Sequence, residues 1–150
     1  EKAALAKAAG CEFVINYKKN NVPREVMNLT DGLGVGVVYD GVGKETFRGT
    51  LDSLSDRGLF VSFGQSSGMI DKVGLHEVFA PKNLYYTRPS LLVYNKTKRE
   101  IGESSATLFK LIKEKKIKNS IFKKYDLKNV AQAHLDLQSR KTTGSLVLVP

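Results

Sequence analysis

The sequence predicts an α/β fold with a mostly parallel sheet, and three observations carry that reading. Between Gly36 and Ser67 an apolar run ends at Asp40, a glycine-rich turn and a helix-like segment follow, and a second apolar run stops at Phe63-Gly64. Two buried-type strands with a helix between them form a βαβ unit. Strand-like and helix-like stretches alternate on both sides of it. Parallel sheets open their binding crevices at the carboxyl ends of such strands, so the site is expected near Gly41 to Gly43 and Phe63 to Ser66.

Lys2 to Ala9 has high helix propensity and Gly10 is placed to end it. Glu12 to Tyr17 reads as a short strand. Val22 to Leu29 reads as a helix, with Asn21 as cap and Pro23 in its first turn. Thr30-Asp31-Gly32 is a turn and Val35 to Asp40 a strand. Glu45 to Leu54 is a helix with Phe47, Leu51 and Leu54 on one side, and Ser55 to Gly58, rich in turn formers, leads into the strand Leu59 to Phe63. Met69 to Val78 has little period, Leu84 to Thr87 is a strand, and Pro89 ends it. Glu100 to Lys116 is a helix with Ile101, Leu108, Leu111 and Ile112 along an apolar side and lysines at its carboxyl end. Ile117 to Tyr125 reads as extended, Leu127 to Ser139 as a helix and Leu146 to Val149 as a last strand.

At 150 residues and 41% hydrophobic content the chain is one domain by size, with a sizeable core. Its apolar runs are far shorter than the roughly 18 residues needed to cross a bilayer, and no signal-peptide layout opens it, so no membrane and a cytoplasmic location are expected. A single cysteine, Cys11, and two histidines, His76 and His134, argue against an internal disulfide and a metal site. The net charge of +9 is concentrated in Lys110 to Lys128, with smaller groups at Lys18-Lys19 and Lys96 to Arg99. Aromatic residues do not alternate with these cations as base stacking would require, which favours a solvated face over a nucleic-acid site.

Five pieces carry a family resemblance: KAALAKAAGCEFVINY at 2–17, VVYDGVGKETF at 37–47, LDSLSDRGLFVSFGQSSG at 51–68, YYTRPSL at 85–91 and AQAHLDLQSRKTTGSLVLVP at 131–150. In that order and spacing the chain resembles the C-terminal half of a zinc-free quinone oxidoreductase, the zeta-crystallin-like branch of the medium-chain dehydrogenase/reductase superfamily. The resemblance implies a partial Rossmann-type, doubly wound, mostly parallel sheet. Residues 1–99 would be an incomplete NADP-binding domain and 100–150 a return segment completing a catalytic domain. The family's phosphate-gripping turn would precede Glu1; Gly34, Gly36 and Gly41 do not fit the G-x-G-x-x-G spacing. If the sheet order is 3-2-1-4-5-6, residues 12–17 are strand three and lack their neighbours. Unpaired strand edges then predict a dimer or higher oligomer, or pairing with a chain that supplies the missing strands. The resemblance adds a homodimer joined through the strand at 84–88.

Site residues follow from the same resemblance. Gly41, Val42 and Gly43 would let backbone approach the nicotinamide or ribose, the ordinary alternative being a tight turn. Phe63, Gly64, Gln65 and Ser66 would contact the nicotinamide half, and the alternative is loop punctuation. Thr87, Arg88 and Pro89 would border the nicotinamide pocket across the dimer strand. Tyr17 would lie by the adenosine phosphate. Lys2 and Arg140 would meet the 2′-phosphate, which selects NADPH over NADH. A solvated lysine and a favourable charge at a helix end are their alternatives.

Asp40 reads as a cap or turn residue, Cys11 as a partly buried small side chain, and His134 as core or boundary. No acid, base or nucleophile is assigned. In the family, hydride passes directly from nicotinamide to a quinone, and the protein's share is positioning. As an isolated chain this reads as an inactive cofactor-binding portion. The alternative is a non-catalytic binding module, with RNA bound through a lysine-rich surface including Lys113, Lys115 and Lys116.

Overall fold

Local capping places the first elements where the sequence puts them. The computed structural model describes residues 1–139 and 141–150. Helix α1 (Lys2–Ala8) stops at Ala9, with Gly10 at φ +105°, a conformation that suits glycine. Helix α2 (Val22–Leu29) starts where the Asn21 carboxamide oxygen accepts from the Arg24 N–H at 3.0 Å, with proline in the first turn. At its end the Thr30 hydroxyl donates to the Val26 carbonyl at 2.8 Å and accepts from the Gly34 N–H at 2.9 Å.

The chain divides into two compact units, Glu1 with Ala3–Tyr94 and Lys2 with Asn95–Pro150. In the first, β1 (Val35–Asp40), α3 (Phe47–Ser53), β2 (Leu54–Ser62), α4 (Leu75–Phe79), β3 (Tyr85–Thr87) and α5 (Leu91–Tyr94) follow in order. The sheet order is β1-β2-β3 and both pairings are parallel. Asp40 stands opposite Ser62, and Thr87 opposite Val61, so all three strands end on one edge. Helix α3 is the crossover that parallel strands require. Its Phe47 and Leu51 pack with Leu54, Phe60 and Val78 into the core, where Phe60 and Leu54 are fully buried. The rings of Phe47 and Phe60 lie 5.9 Å apart, and Tyr86 meets Phe60 edge-on at 5.4 Å.

Helix α3 has a cation at its carboxyl end. After a single 3-10 turn, Ala80–Lys82, the Lys82 ammonium donates to the carbonyls of Leu51, Asp52 and Leu54 at 3.3, 3.0 and 2.6 Å. The ammonium thus gathers three carbonyls around the end of α3, of which that of Leu51 also accepts from the Leu54 N–H, and the charge complements the helix dipole.

The second unit is built from α6 (Lys98–Lys113), β4 (Ile121–Asp126), a 3-10 turn (Leu127–Asn129), α7 (Val130–Gln138) and β5 (Ser145–Val149). Thr97 and Glu100 close a capping box on α6. Strands β4 and β5 pair in parallel across the α7 crossover. The Tyr125 hydroxyl donates to Asp136 Oδ2 at 2.6 Å, tying β4 to α7. That bond to a carboxylate, with burial, pushes the Tyr125 pKa up to about 12, while the tyrosine bond holds Asp136 below the ordinary range.

Several expectations are corrected. Residues 12–17 form no strand, since a strand exists by its ladder and the sheet beside them consists of β1, β2 and β3 alone. The turn expected at Ser55 to Gly58 lies inside β2. Leu54 pairs with Val35 and Leu59 with Val37, so these residues bulge out of the ladder, with Arg57 at φ +59°. Short helix α4 begins within the stretch Met69 to Val78, which has little period in sequence. Cys11 and His134 are both exposed; Ala133 alone is buried on α7 among its described residues.

Replacing Lys82 by methionine keeps the stem and removes the ammonium. We expect Lys82→Met to lower the unfolding free energy by about 2 kcal/mol, because three carbonyls lose a charged donor. Urea unfolding of the parent and variant chains measures it.

Candidate functional site

The site is built where β1 and β2 end side by side, and Asp40 is its base. Only 5% exposed, its carboxylate turns inward and meets four donors. Oδ1 accepts from the backbone N–H groups of Val42 at 2.7 Å and Gly43 at 3.0 Å. Oδ2 accepts from the hydroxyls of Thr46 at 2.7 Å and Thr50 at 2.8 Å. Burial alone would push this acid up; the four hydrogen bonds to the charged form outweigh it and hold Asp40 below the ordinary aspartate range.

The loop that leaves Asp40 interlocks with the loop that leaves β2. Phe63 and Gly64 donate their N–H groups to the Asp40 carbonyl at 3.0 and 3.2 Å. The Ser67 N–H and hydroxyl both reach the Val42 carbonyl, at 2.8 and 2.7 Å, and Lys44 returns an N–H to the Gly68 carbonyl at 3.2 Å. The backbones run so close that side chains are excluded. A Cβ on Gly64 would stand 2.5 Å from the Gly41 carbonyl oxygen, and one on Gly43 would stand 2.6 Å from that of Gly68. A Cβ on Gly41 would meet the Phe63 ring at 3.0 Å. Gly43 is itself buried, at φ +90°, so the tight-turn account describes it.

Most residues read from the sequence as site residues gather on this edge. Phe63 is 57% exposed, and Gln65 and Ser66 are exposed beside it. Past the end of β3, the Arg88 guanidinium donates to the Ser62 carbonyl at 2.7 Å and approaches Gln65 Oε1 at 3.5 Å, so it links the third strand end to the second. Thr87 and Pro89 flank it. A cleft of about 590 Å³ runs alongside, lined by Tyr17, Asn21 and Pro23 on one wall and by Val38, Gly41, Val42 and Thr46 on the other. Two residues that line it, Glu45 and Tyr17, meet the Lys18 ammonium, at 2.9 Å from the Glu45 carboxylate and 5.4 Å from the centre of the Tyr17 ring. Lys2 does not line the cleft, and Arg140 lies outside the described residues.

Thr46, Thr50 and Ser67 are the site residues that sequence reasoning missed. Thr46 and Thr50 stand one helical turn apart just after a strand-end aspartate, a spacing that puts both hydroxyls on one side. That pattern is the available signal. Chemically, the edge offers an exposed aromatic face, a carboxamide, a hydroxyl and a guanidinium on a rigid backbone platform. Such a set suits a flat, amide-bearing ring. Among the described residues no three His, Cys, Asp or Glu side chains form a group able to hold a metal ion, and no helix is long and apolar enough to cross a membrane.

Residues 9–148 match the family model described as zinc-binding dehydrogenase. The chain is 43% identical over 150 residues to a quinone oxidoreductase of Pseudomonas aeruginosa, covering 100% of this chain and 46% of that protein. It is 43% identical over 152 residues to quinone oxidoreductase 1 of Escherichia coli, again covering 100% of this chain and 46% of the relative. Among solved structures, an Escherichia coli quinone oxidoreductase complexed with NADPH superposes with a TM-score of 0.94 at 44% identity, covering 99% of this chain and 46% of that one. The chain thus spans about half the length of the relatives it matches. The donor set among the described residues does not fit the zinc in the family's description.

Because the folded-state pKa of Asp40 is depressed, its charge contributes stability that is complete above the unfolded-state value and is lost as pH falls through the folded one. Stability should therefore decline below about pH 4. In Asp40→Asn that part of the acid limb disappears, so the difference in urea midpoint between parent and variant shrinks as pH is lowered.

Proposed function

We propose, from the premise that this chain belongs to the zinc-binding dehydrogenase family, that it forms the cofactor-binding portion of an NADPH-dependent quinone oxidoreductase. The observation that carries this reading is the shared carboxyl edge of β1, β2 and β3, where Phe63, Gln65, Ser66, Thr87 and Arg88 stand over an interlocked backbone platform beside the Tyr17 cleft. NADPH held there would supply the hydride that a quinone accepts. The residues of this chain contribute placement. Phe63 offers a face for a planar ring, Gln65 and Ser66 offer polar partners for its carboxamide, and Arg88 holds the second and third strand ends in register. Lys2 and Arg140 are the cations proposed for the 2′-phosphate, with Tyr17 near the adenosine end.

A homodimer through residues 84–88 belongs to the same proposal. Strand β3 lies at the outer edge of its sheet, and its Tyr85 and Tyr86 are exposed, which leaves a row of backbone groups for a second copy to pair. A cytoplasmic location accompanies it, where a single exposed thiol such as Cys11 stays reduced. RNA binding is not preferred, because Lys110, Lys116, Lys123 and Lys128 of the lysine-rich stretch are engaged with Glu114, Asp136 and Asp126.

Calorimetric titration with each nicotinamide cofactor tests the reading. NADPH should bind more tightly than NADH, and the preference should fade in Lys2→Ala and Arg140→Ala; equal affinity for the two cofactors sinks the 2′-phosphate assignment. In light scattering at micromolar concentration the chain should exceed the mass of a monomer, and a monomeric mass removes the dimer.

A further inference from the structure

We propose that Asp40, with Thr46 and Thr50 as its hydroxyl partners, is the positioning residue that keeps the Gly41–Gly43 loop and the interlocked Phe63–Ser66 loop in their cofactor-receiving shape, acting through the backbone and never touching the ligand. The inference rests on the NADPH-binding function proposed for the chain and adds a residue to which that function assigns no part.

Three observations carry it. Both carboxylate oxygens are saturated, by two backbone N–H groups on Oδ1 and two hydroxyls on Oδ2, and the side chain is buried, so none of its acceptor capacity points outward. The contacts are also not those of a helix cap. Thr46 is the residue at the start of α3, and Asp40 reaches past it to Thr50 in the following turn, six and ten residues along the chain. Finally, the second loop depends on the first. Phe63, Gly64, Ser66 and Ser67 all donate N–H groups to carbonyls of Asp40, Gly41 and Val42. A shift of the first loop therefore moves the Phe63 ring and the Gln65 carboxamide at the edge. No side chain can soften that coupling, because the space between the loops holds no room for a Cβ.

Asparagine at position 40 keeps the size and one acceptor oxygen but sets an NH2 against two hydroxyls. In the full chain, Asp40→Asn should weaken NADPH binding about tenfold, the loss expected of a charged hydrogen-bond hub. Thr50→Val should weaken it about threefold, and Thr50→Ser should restore parental affinity. Lys82→Met, which loosens the opposite end of α3, serves as the control for stability alone. At a temperature where every variant is folded, it should bind NADPH as the parent does. A readout without ligand accompanies these. Amide hydrogen exchange at Val42 and Gly43 should quicken about tenfold in Asp40→Asn while Phe60 and Val61 in the core keep their parental rates. Parental affinity in Asp40→Asn, unchanged exchange at Val42 and Gly43, or a loss of affinity in Lys82→Met as large as that in Asp40→Asn each overturn the inference alone. Failure of the parent chain to bind NADPH overturns the function beneath it. If Asp40→Asn does not fold, the Thr50 pair decides, and parental binding by Thr50→Val refutes the proposal.

Discussion

A charge held away from water at the end of β1 sets the geometry of the first unit. Burying a carboxylate is unfavourable unless its acceptor sites are met, and at Asp40 four donors converge to meet them. Two come from the loop that leaves the strand and two from the helix that follows. The same charge therefore fixes how the chain turns out of β1 and where α3 lies against it. The loop after β2 has then one path open to it, laid backbone to backbone along the first. Glycine at positions 41, 43 and 64 is a requirement of that path.

Helix α3 has seven residues, too few to persist on its own propensity. It is held by its two ends and one face. An anion, Asp40, sits at its amino end and a cation, Lys82, at its carboxyl end, each on the side the helix dipole favours. Phe47 and Leu51 anchor the middle against Phe60. Since α3 is also the crossover between β1 and β2, these few contacts decide whether the parallel pair exists at all, and the strand-end edge with it.

What the sequence made legible was local. Asn21 with Pro23 marks the start of α2 because a cap and a first-turn proline act within four residues. The apolar runs at 35–40 and 59–62 mark β1 and the last four residues of β2, and Gly10 follows the end of α1. The family resemblance added the strand order and the group of residues at the strand ends. Illegible parts depend on partners distant along the chain. Residues 12–17 have strand composition but no ladder to join. Arg57 and Gly58 resemble a turn in sequence, yet β1 captures the residues on both sides of them. The hydroxyls that satisfy Asp40 and the carbonyls that receive Lys82 are set by tertiary approach, which leaves only faint traces in spacing. Exposure of His134 escaped for the same reason, since an apolar helix side shows what could be buried and not what lies opposite.

The ammonium of Lys82 reaches back over 28 to 31 residues to the end of α3. On a ribosome the chain grows by roughly 5 to 20 residues each second. For the second or more before residue 82 emerges, the helix carrying Thr46 and Thr50 has its amino-terminal anion in place but no cation at its other end. The carboxyl end of α3 is thus completed from downstream, by a lysine that stands apart from the strand-end edge.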